Sequence, residues 1–200
     1  MSVKPTTQVY AVRDSTQVDV EFLAQSRSSL NTISIPTMLD TLNREVLMIQ
    51  EVDFDIYNVA YWNALMTRTN ASIDPSVAYV NGTLSLYLTE VDPNEDPTVL
   101  SLASPHFIAS QVISSVGGVF TNTDNNPDTG SYSSVAFADH PLFTTASSNL
   151  FLTMAFSYDG NDPASMTGAP AKITGAFRSF CQRGRADADT YAAILTGLYA

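Results

Sequence analysis

The chain has 200 residues, of which 20 are acidic and nine are basic, so its formal net charge is −11. A protein that coats nucleic acid by neutralising phosphates needs the opposite balance, so this class is disfavoured. The one cysteine excludes an internal disulfide and a cysteine-based zinc site. With 44% hydrophobic residues and only 14% charged ones, the chain is expected to fold around one core.

Alternation of apolar and polar side chains gives the clearest structural signal. Over residues 44–57 it predicts a strand with one face in a core and, from Glu51 on, the other face in water. The same alternation predicts strands over residues 83–90 and 149–158, next to Asn-Gly and Asp-Gly turns. Weaker patterns predict further strands over residues 8–12, 17–23, 31–35, 116–121, 133–138 and 172–181.

Helical signals are few. Ser104 and Pro105 resemble a helix start, and the apolar spacing after them predicts a short helix reaching Val112. Near the end, Asp187 or Asp189 precedes apolar residues spaced at i, i+3, i+4 and i+7, which predicts a closing helix.

Many strands without a βαβ rhythm indicate an all-β protein, an antiparallel β-sandwich or single jelly roll with one or two short helices. We expect residues 1–16 to form an N-terminal arm and residues 17–200 to form the sandwich domain. No catalytic or nucleotide-binding motif is found, so we predict no enzyme activity, no cofactor and no metal site.

Single residues that could take part in catalysis or metal binding have simpler structural explanations. His106 and His140 are interpreted as loop or core histidines, and the carboxylates of the long strand as a solvated face: Glu51, Asp53 and Asp55. The segment 124–130 places oxygen-bearing side chains at alternate positions, but it lacks the glycine and glutamate of a calcium loop. We therefore interpret it as a loop tip.

The distribution of charge is more informative than its total. Residues 163–186 contain no acid, whereas they hold four of the nine bases: Lys172, Arg178, Arg183 and Arg185. Two interpretations remain open. These residues form ion contacts within their own chain, or they form a patch that docks on acidic neighbours such as another copy of the protein.

The order of segments resembles that of a viral family. Residues 42–50 head the long strand, residues 139–143 lead into residues 149–154, and residues 173–195 run from a strand into a short helix. Over residues 17–198 this layout is similar to the single jelly-roll capsid proteins of tailless icosahedral viruses of archaea and bacteria. The resemblance implies a non-catalytic sandwich that tiles a shell through its loops and sheet edges.

On this basis we expect a viral structural protein, a capsid subunit that self-associates into capsomers of an icosahedral shell. Its expected partners are other copies and other capsid proteins, in the virion after assembly in the host cytoplasm, with neither nucleic acid nor a small-molecule substrate. In the membrane-containing members of the family, a membrane would lie beneath the shell. The alternative is a carbohydrate-binding or adhesion module, whose candidate stacking residues are Tyr57, Tyr61, Trp62 and Tyr87.

Overall fold

In the computed structural model the described residues are 3–20, 27–57, 80–116, 142–160 and 171–196. Several predicted features lie outside these ranges. They are the strand over residues 133–138, most of the strand over residues 116–121, the segment 124–130, His140, Tyr61 and Trp62.

The described residues form nine strands, one α-helix and two short 3-10 helices, Thr41–Asn43 and Pro97–Leu100. The strands are β1 (Val3–Pro5), β2 (Tyr10–Val20), β3 (Arg27–Pro36), β4 (Glu45–Tyr57), β5 (Val80–Thr89), β6 (Phe107–Val116), β7 (Phe143–Thr145), β8 (Asn149–Gly160) and β9 (Ala171–Ala186). The helix α1 (Ala188–Leu195) follows β9 directly. None of the helical segments described is long and apolar enough to cross a membrane.

The strands form two antiparallel sheets. Sheet 1 has the order β1-β9-β4-β7, with β2 also paired to β9, and sheet 2 has the order β3-β8-β5-β6. Pairing is nested, because β2 pairs with β9, β3 with β8, β4 with β7, and β5 with β6. Such a rolled-up hairpin is a jelly roll, so the predicted all-β sandwich is confirmed.

The core lies between the inner faces of the two sheets. In β5 the alternating residues Leu84, Leu86 and Leu88 are fully buried, as the sequence predicts. They face the buried side chains of sheet 1, which include Val52, Ile56, Ile173 and Phe177. Each such side chain contributes about 1.5–3 kcal/mol through removal of its apolar surface from water.

The long strand β4 differs from the prediction at its middle. Its register with β9 shifts between Ile49 and Glu51, so a bulge at Gln50 exchanges the inner and outer positions. Leu47 and Ile49 therefore point into the core before the bulge, and Val52 does so after it. The outer positions of the first half are also buried, because α1 and neighbouring residues cover them in a second small cluster: Val46, Ala146, Ala186 and Ile194.

The predicted helix after Ser104 is wrong, because residues 107–116 form the strand β6. The Ser104 hydroxyl accepts a hydrogen bond from the backbone N–H of His106, 3.2 Å away, and so forms a tight turn before the strand. The following segment is rich in β-branched residues, which favour extended backbone when they pack against a neighbouring strand. The predicted closing helix is found as α1, and Asp187 caps it by accepting from the backbone N–H of Thr190 at 2.8 Å.

The N-terminal segment differs from the predicted arm. The boundary expected between residues 16 and 17 falls inside β2, which pairs with β9 without interruption from Tyr10 to Val20. The strand β1 pairs with the far end of β9. Thr16 and Val18 are buried on the inner side of this strand, so β2 contributes to the core on both sides of the predicted boundary.

Candidate functional site

The outer side of sheet 1 carries a groove of about 790 Å³. Its floor is formed by three neighbouring strands, β2, β9 and β4. Because alternate residues of a strand point to opposite sides, one set of side chains from these strands faces outward. We call this set the charged face: Arg13, Ser15, Asp53, Asp55, Tyr57, Thr174, Ala176 and Arg178.

An ion pair crosses the charged face between β9 and β4. Arg178 donates from Nε and Nη2 to Oδ2 of Asp53, at 3.0 and 2.5 Å. Its guanidinium carbon also lies 5.1 Å from the centroid of the Phe180 ring. The Arg178 side chain is 48% exposed, so solvent screens the ion pair and its expected contribution to stability is about 0.2–1 kcal/mol.

Arg13 is the unusual member of the charged face. It lies directly opposite Arg178 in the β2–β9 register, where two like charges repel each other. Asp53 on the third strand pairs with Arg178. Among the described residues the Arg13 side chain has no hydrogen-bond or ion-pair partner, so its planar guanidinium is available for a carboxylate from outside the chain.

Tyr57 lies at one end of the charged face and is 52% exposed. A side-chain hydrogen bond to Asp55, with the negative charge of the same carboxylate, raises the pKa of Tyr57 above its usual value. The phenol therefore stays protonated and donates to Asp55. An aromatic ring with a fixed hydroxyl and an adjacent carboxylate can contact both the apolar and the hydroxyl-bearing sides of a polar ligand.

The four bases predicted as contact residues are not gathered in one patch. Lys172 and Arg178 lie at outward positions of β9, on the same side of sheet 1 as expected. Lys172 is opposite Asp19 in the register. Arg185 is exposed at the other end of β9, where its register partners are Lys4 and Glu45.

The Arg183 side chain forms two hydrogen bonds and an ion pair within its own chain. Its Nε donates to the Tyr10 hydroxyl at 3.3 Å, and its Nη2 donates to the backbone oxygen of Thr37 at 3.1 Å. Its Nη1 lies 3.6 Å from Oε2 of Glu45. Of the two interpretations left open by the sequence, ion contacts within the chain therefore apply to Arg178 and Arg183.

The remaining reactive groups are engaged in structural contacts. Nδ1 of His106 lies 2.7 Å from Oε1 of Glu90, in the turn that precedes β6. Burial raises the pKa of the Cys181 thiol, and the Ser179 hydroxyl lies 3.2 Å from its sulfur. Within the described ranges no group of three or more His, Cys, Asp or Glu residues could hold a metal ion.

Sequence reasoning missed Arg13. The residue stands in an ordinary polar segment, between the two weak strand patterns that the structure joins into β2. Only the register of β2 against β9 brings it opposite Arg178, and that register links residues 165 positions apart. No local sequence pattern predicts this register.

No protein-family model matches the chain, and no curated protein matches it. Among solved structures it is similar to the apo VP1 of chimpanzee polyomavirus, with a TM-score of 0.40, 10% identity, and 92% of this chain and 98% of that chain covered. It is also similar to Merkel cell polyomavirus VP1 in complex with 3'-sialyllactosamine, with a TM-score of 0.40, 9% identity, and 92% and 98% covered.

A third similar structure is the unassembled pentamer of Merkel cell polyomavirus VP1, with a TM-score of 0.40, 9% identity, and 94% of this chain and 99% of that chain covered. These structural neighbours are jelly-roll capsid proteins. The assignment of this chain to the jelly rolls comes from its nested strand pairing and does not depend on these likenesses.

Proposed function

We propose that this protein is a viral capsid subunit that self-associates into the capsomers of an icosahedral shell. The observation that supports the proposal is the Arg13 side chain, which has no partner among the described residues and lies in a broad groove of a chain whose net charge is −11. A chain with such an excess of acid presents carboxylates to its neighbours. A second copy is therefore a suitable source of the carboxylate that the Arg13 guanidinium lacks.

The loop between β5 and β6 is the acidic partner that we assign to this contact. Asp92 and Asp96 have their carboxylates fixed by hydrogen bonds to Asn94 and Thr98 within the loop. Glu95 is exposed, and its side chain has no hydrogen-bond or ion-pair partner among the described residues. The loop follows sheet 2, whereas the groove lies outside sheet 1, so one copy offers the two halves of the contact on different surfaces.

A contact between two different surfaces is heterologous, and it closes into a ring when the rotation between copies closes. Lys172 is an exposed base on the same outward side of β9 as Arg178, and we propose that it extends the basic side of this contact. Arg185 lies at the other end of β9 and on the opposite side of the strand, opposite Lys4, so it does not join the Arg13 contact. The Arg178 guanidinium would then contact both Asp53 and a carboxylate of the neighbouring copy. Arg183 would act indirectly, by holding the end of the sandwich in place.

Charge reversal tests the contact. At low ionic strength, analytical ultracentrifugation should find oligomers of the wild type, whereas Arg13→Glu should weaken association at least tenfold. The pair Arg13→Glu with Glu95→Arg should restore part of the loss, because the two charges are exchanged. Lys4→Glu is the matched control, since Lys4 is an exposed base of β1 outside the groove. Strictly monomeric wild type at high concentration and varied salt would contradict the proposed function.

The finer part of the proposal concerns the virus. We propose a tailless icosahedral virus of archaea or bacteria, because the order of segments over residues 17–198 resembles that of its capsid proteins. Electron microscopy of the source material should then reveal icosahedral particles without tails, and mass spectrometry should find this chain in them. Particles that lack the chain would contradict this part of the proposal.

A second candidate function is carbohydrate binding. The observation that favours it is the half-exposed ring of Tyr57 at the end of the groove, next to the carboxylates of Asp53 and Asp55. Sugar rings stack on aromatic faces, and carboxylates accept hydrogen bonds from sugar hydroxyls. A glycan array should then respond to wild type and lose the response with Tyr57→Ala, whereas an array without any response would remove this candidate.

A further inference from the structure

The outer side of sheet 2 contains no charged residue over three successive rows of its four strands. The rows follow the register from β3 through β8 and β5 to β6, so their side chains all point away from the core. We call this set the uncharged face: Ser34, Phe151, Thr89 and Phe107; Thr32, Thr153, Tyr87 and Ser110; Leu30, Ala155, Ser85 and Val112.

Apolar side chains are exposed at both edges of the uncharged face. Leu30 on β3 is 45% exposed, and Val112 on β6 is 44% exposed. Seven of the twelve residues of the face carry a hydroxyl group, and the Oγ1 atoms of Thr32 and Thr153 lie 2.9 Å apart. Thr153 and Ser85 are buried among their neighbours. The face therefore presents apolar side chains at its edges and uncharged hydroxyl groups elsewhere.

The chemistry of the face restricts what can cover it. A charged surface placed against it would lose its water and gain no partner, which costs several kcal/mol for each buried charge. The charged face of sheet 1, with Arg13, Asp53 and Asp55, is therefore a poor match. The uncharged face of a second copy matches well, because neither side brings a charge into the contact of two chains that each have a net charge of −11.

We infer that the uncharged face of one copy packs on the uncharged face of a second copy about a two-fold axis. This inference rests on the proposed self-association and adds to it a second kind of contact. The contact made by Arg13 is heterologous and builds rings, whereas a two-fold contact joins one ring to the next. A closed shell needs contacts within a ring and contacts between rings, and the two-fold contact would supply the second.

The size of the face indicates a weak contact. Four strands spaced about 4.8 Å apart and three rows spaced about 6.8 Å apart along the strands give roughly 400 Å² per copy. The pair therefore buries roughly 800 Å², below the usual range for a stable specific interface. Such a contact is reversible between two free copies and becomes strong when many copies use it together.

A pair of valine substitutions tests the face. Val112→Glu places a carboxylate on the uncharged face, and Val9→Glu is the matched control, because Val9 is 47% exposed but lies between β1 and β2. In sedimentation equilibrium we expect Val112→Glu to raise the dissociation constant of the wild-type association at least tenfold, and Val9→Glu to leave it within twofold. Thermal unfolding of both variants checks that each is folded.

A second test avoids any dependence on the stability of Val112→Glu. The native Cys181 is buried, so Ala155→Cys gives one additional, half-buried thiol at the centre of the uncharged face. We expect a flexible bismaleimide to link two copies of Ala155→Cys. The control Ala176→Cys places the same group at the centre of the charged face, on β9, and should stay unlinked.

The outcomes separate the two proposals. Association of wild type that is unchanged by Val112→Glu, together with equal or no linking of Ala155→Cys and Ala176→Cys, would overturn the two-fold contact and leave the capsid function standing. Linking through Ala176→Cys alone would also overturn it. Wild type that stays monomeric at every concentration would contradict the proposed function itself.

Discussion

The two outer surfaces of the sandwich come from the same kind of strand but differ in charge. In the charged face of sheet 1, Arg178 is paired with Asp53, and the Arg13 side chain has no partner within the described part of the chain; the groove there measures about 790 Å³. The uncharged face of sheet 2 has Leu30 and Val112 exposed and no charge in three rows. Because the inner faces are alike and apolar, the outward residues alone distinguish the sheets.

Under the proposed self-association, the two surfaces are expected to meet different neighbours. Charges at the rim or in a groove set orientation and the rate of association, and their effect decreases with salt. An uncharged apolar face associates by removal of its surface from water, which salt does not weaken. If both proposed contacts form, their different salt dependence would let one be loosened while the other persists.

The largest effect is expected from the core that both faces share. Leu152→Ala removes a fully buried side chain of β8 and should lower the free energy of unfolding by about 2–5 kcal/mol. Leu30→Ala is the control on the outer side of sheet 2, and it should lose less than about 1 kcal/mol because Leu30 is 45% exposed. Urea unfolding measures both. Equal losses would show that the inner and outer sides are wrongly assigned.

A smaller effect is expected where the sheets approach most closely. Gly175 in β9 faces the core, and a Cβ atom there would overlap the methyl groups of Leu86 in sheet 2. Gly175→Val should therefore lower the free energy of unfolding by about 1–3 kcal/mol, because Leu86 is itself fully buried and has little room to move. Ala176→Val, at the next position but on the outer side, should change it by less than about 0.5 kcal/mol.

The two arginines of β9 should differ in their effect on stability. Arg183→Gln should cost about 1–3 kcal/mol, because it leaves the hydrogen bonds to Tyr10 and to the Thr37 carbonyl unmade at a half-buried position. Arg178→Gln should cost less than about 1 kcal/mol, and the loss should shrink in 0.5 M salt. Thermal unfolding at low and high salt measures both. A larger loss for Arg178→Gln would contradict the roles assigned to them.

The smallest effect is expected at the turn that takes the chain from sheet 2 to sheet 1. The pKa of Asp40 is lowered, chiefly by the side-chain and backbone hydrogen bonds that Asn43 donates to it. Its contribution to stability is therefore complete above the unfolded pKa, about 3.9, and is lost as pH falls through the folded pKa. Asp40→Asn should be less stable than wild type at pH 7, and the gap should close towards pH 2. A constant gap would contradict this.

Local patterns were sufficient for much of the fold. Alternation in residues 83–90 and 149–158 predicts β5 and β8, whose leucines fill the core. The error at β6 arose because Ser104 and Pro105 fit a helix start as well as a turn, and tertiary pairing with β5 decides between them. The bulge at Gln50 also depends on the partner strand, so periodicity within β4 does not reveal it.

The candidate site was less predictable than the fold. The basic segment drew attention to Arg178, but Arg13 gains its importance only from the register of β2 with β9. The uncharged face likewise results from four strands whose outward residues are far apart in sequence. Alternation within a strand predicts which residues lie on the same side of that strand. The order and register of the strands in the sheet are also needed to predict which residues lie on the same surface.

Self-association is the central claim, and analytical ultracentrifugation of the wild-type protein over a wide concentration range tests it most directly. We predict concentration-dependent oligomers at low salt, with part of the association lost in 1 M salt as the Arg13 contact is screened. The remainder should persist through the uncharged face. A single monomeric species at every concentration and salt would contradict the account.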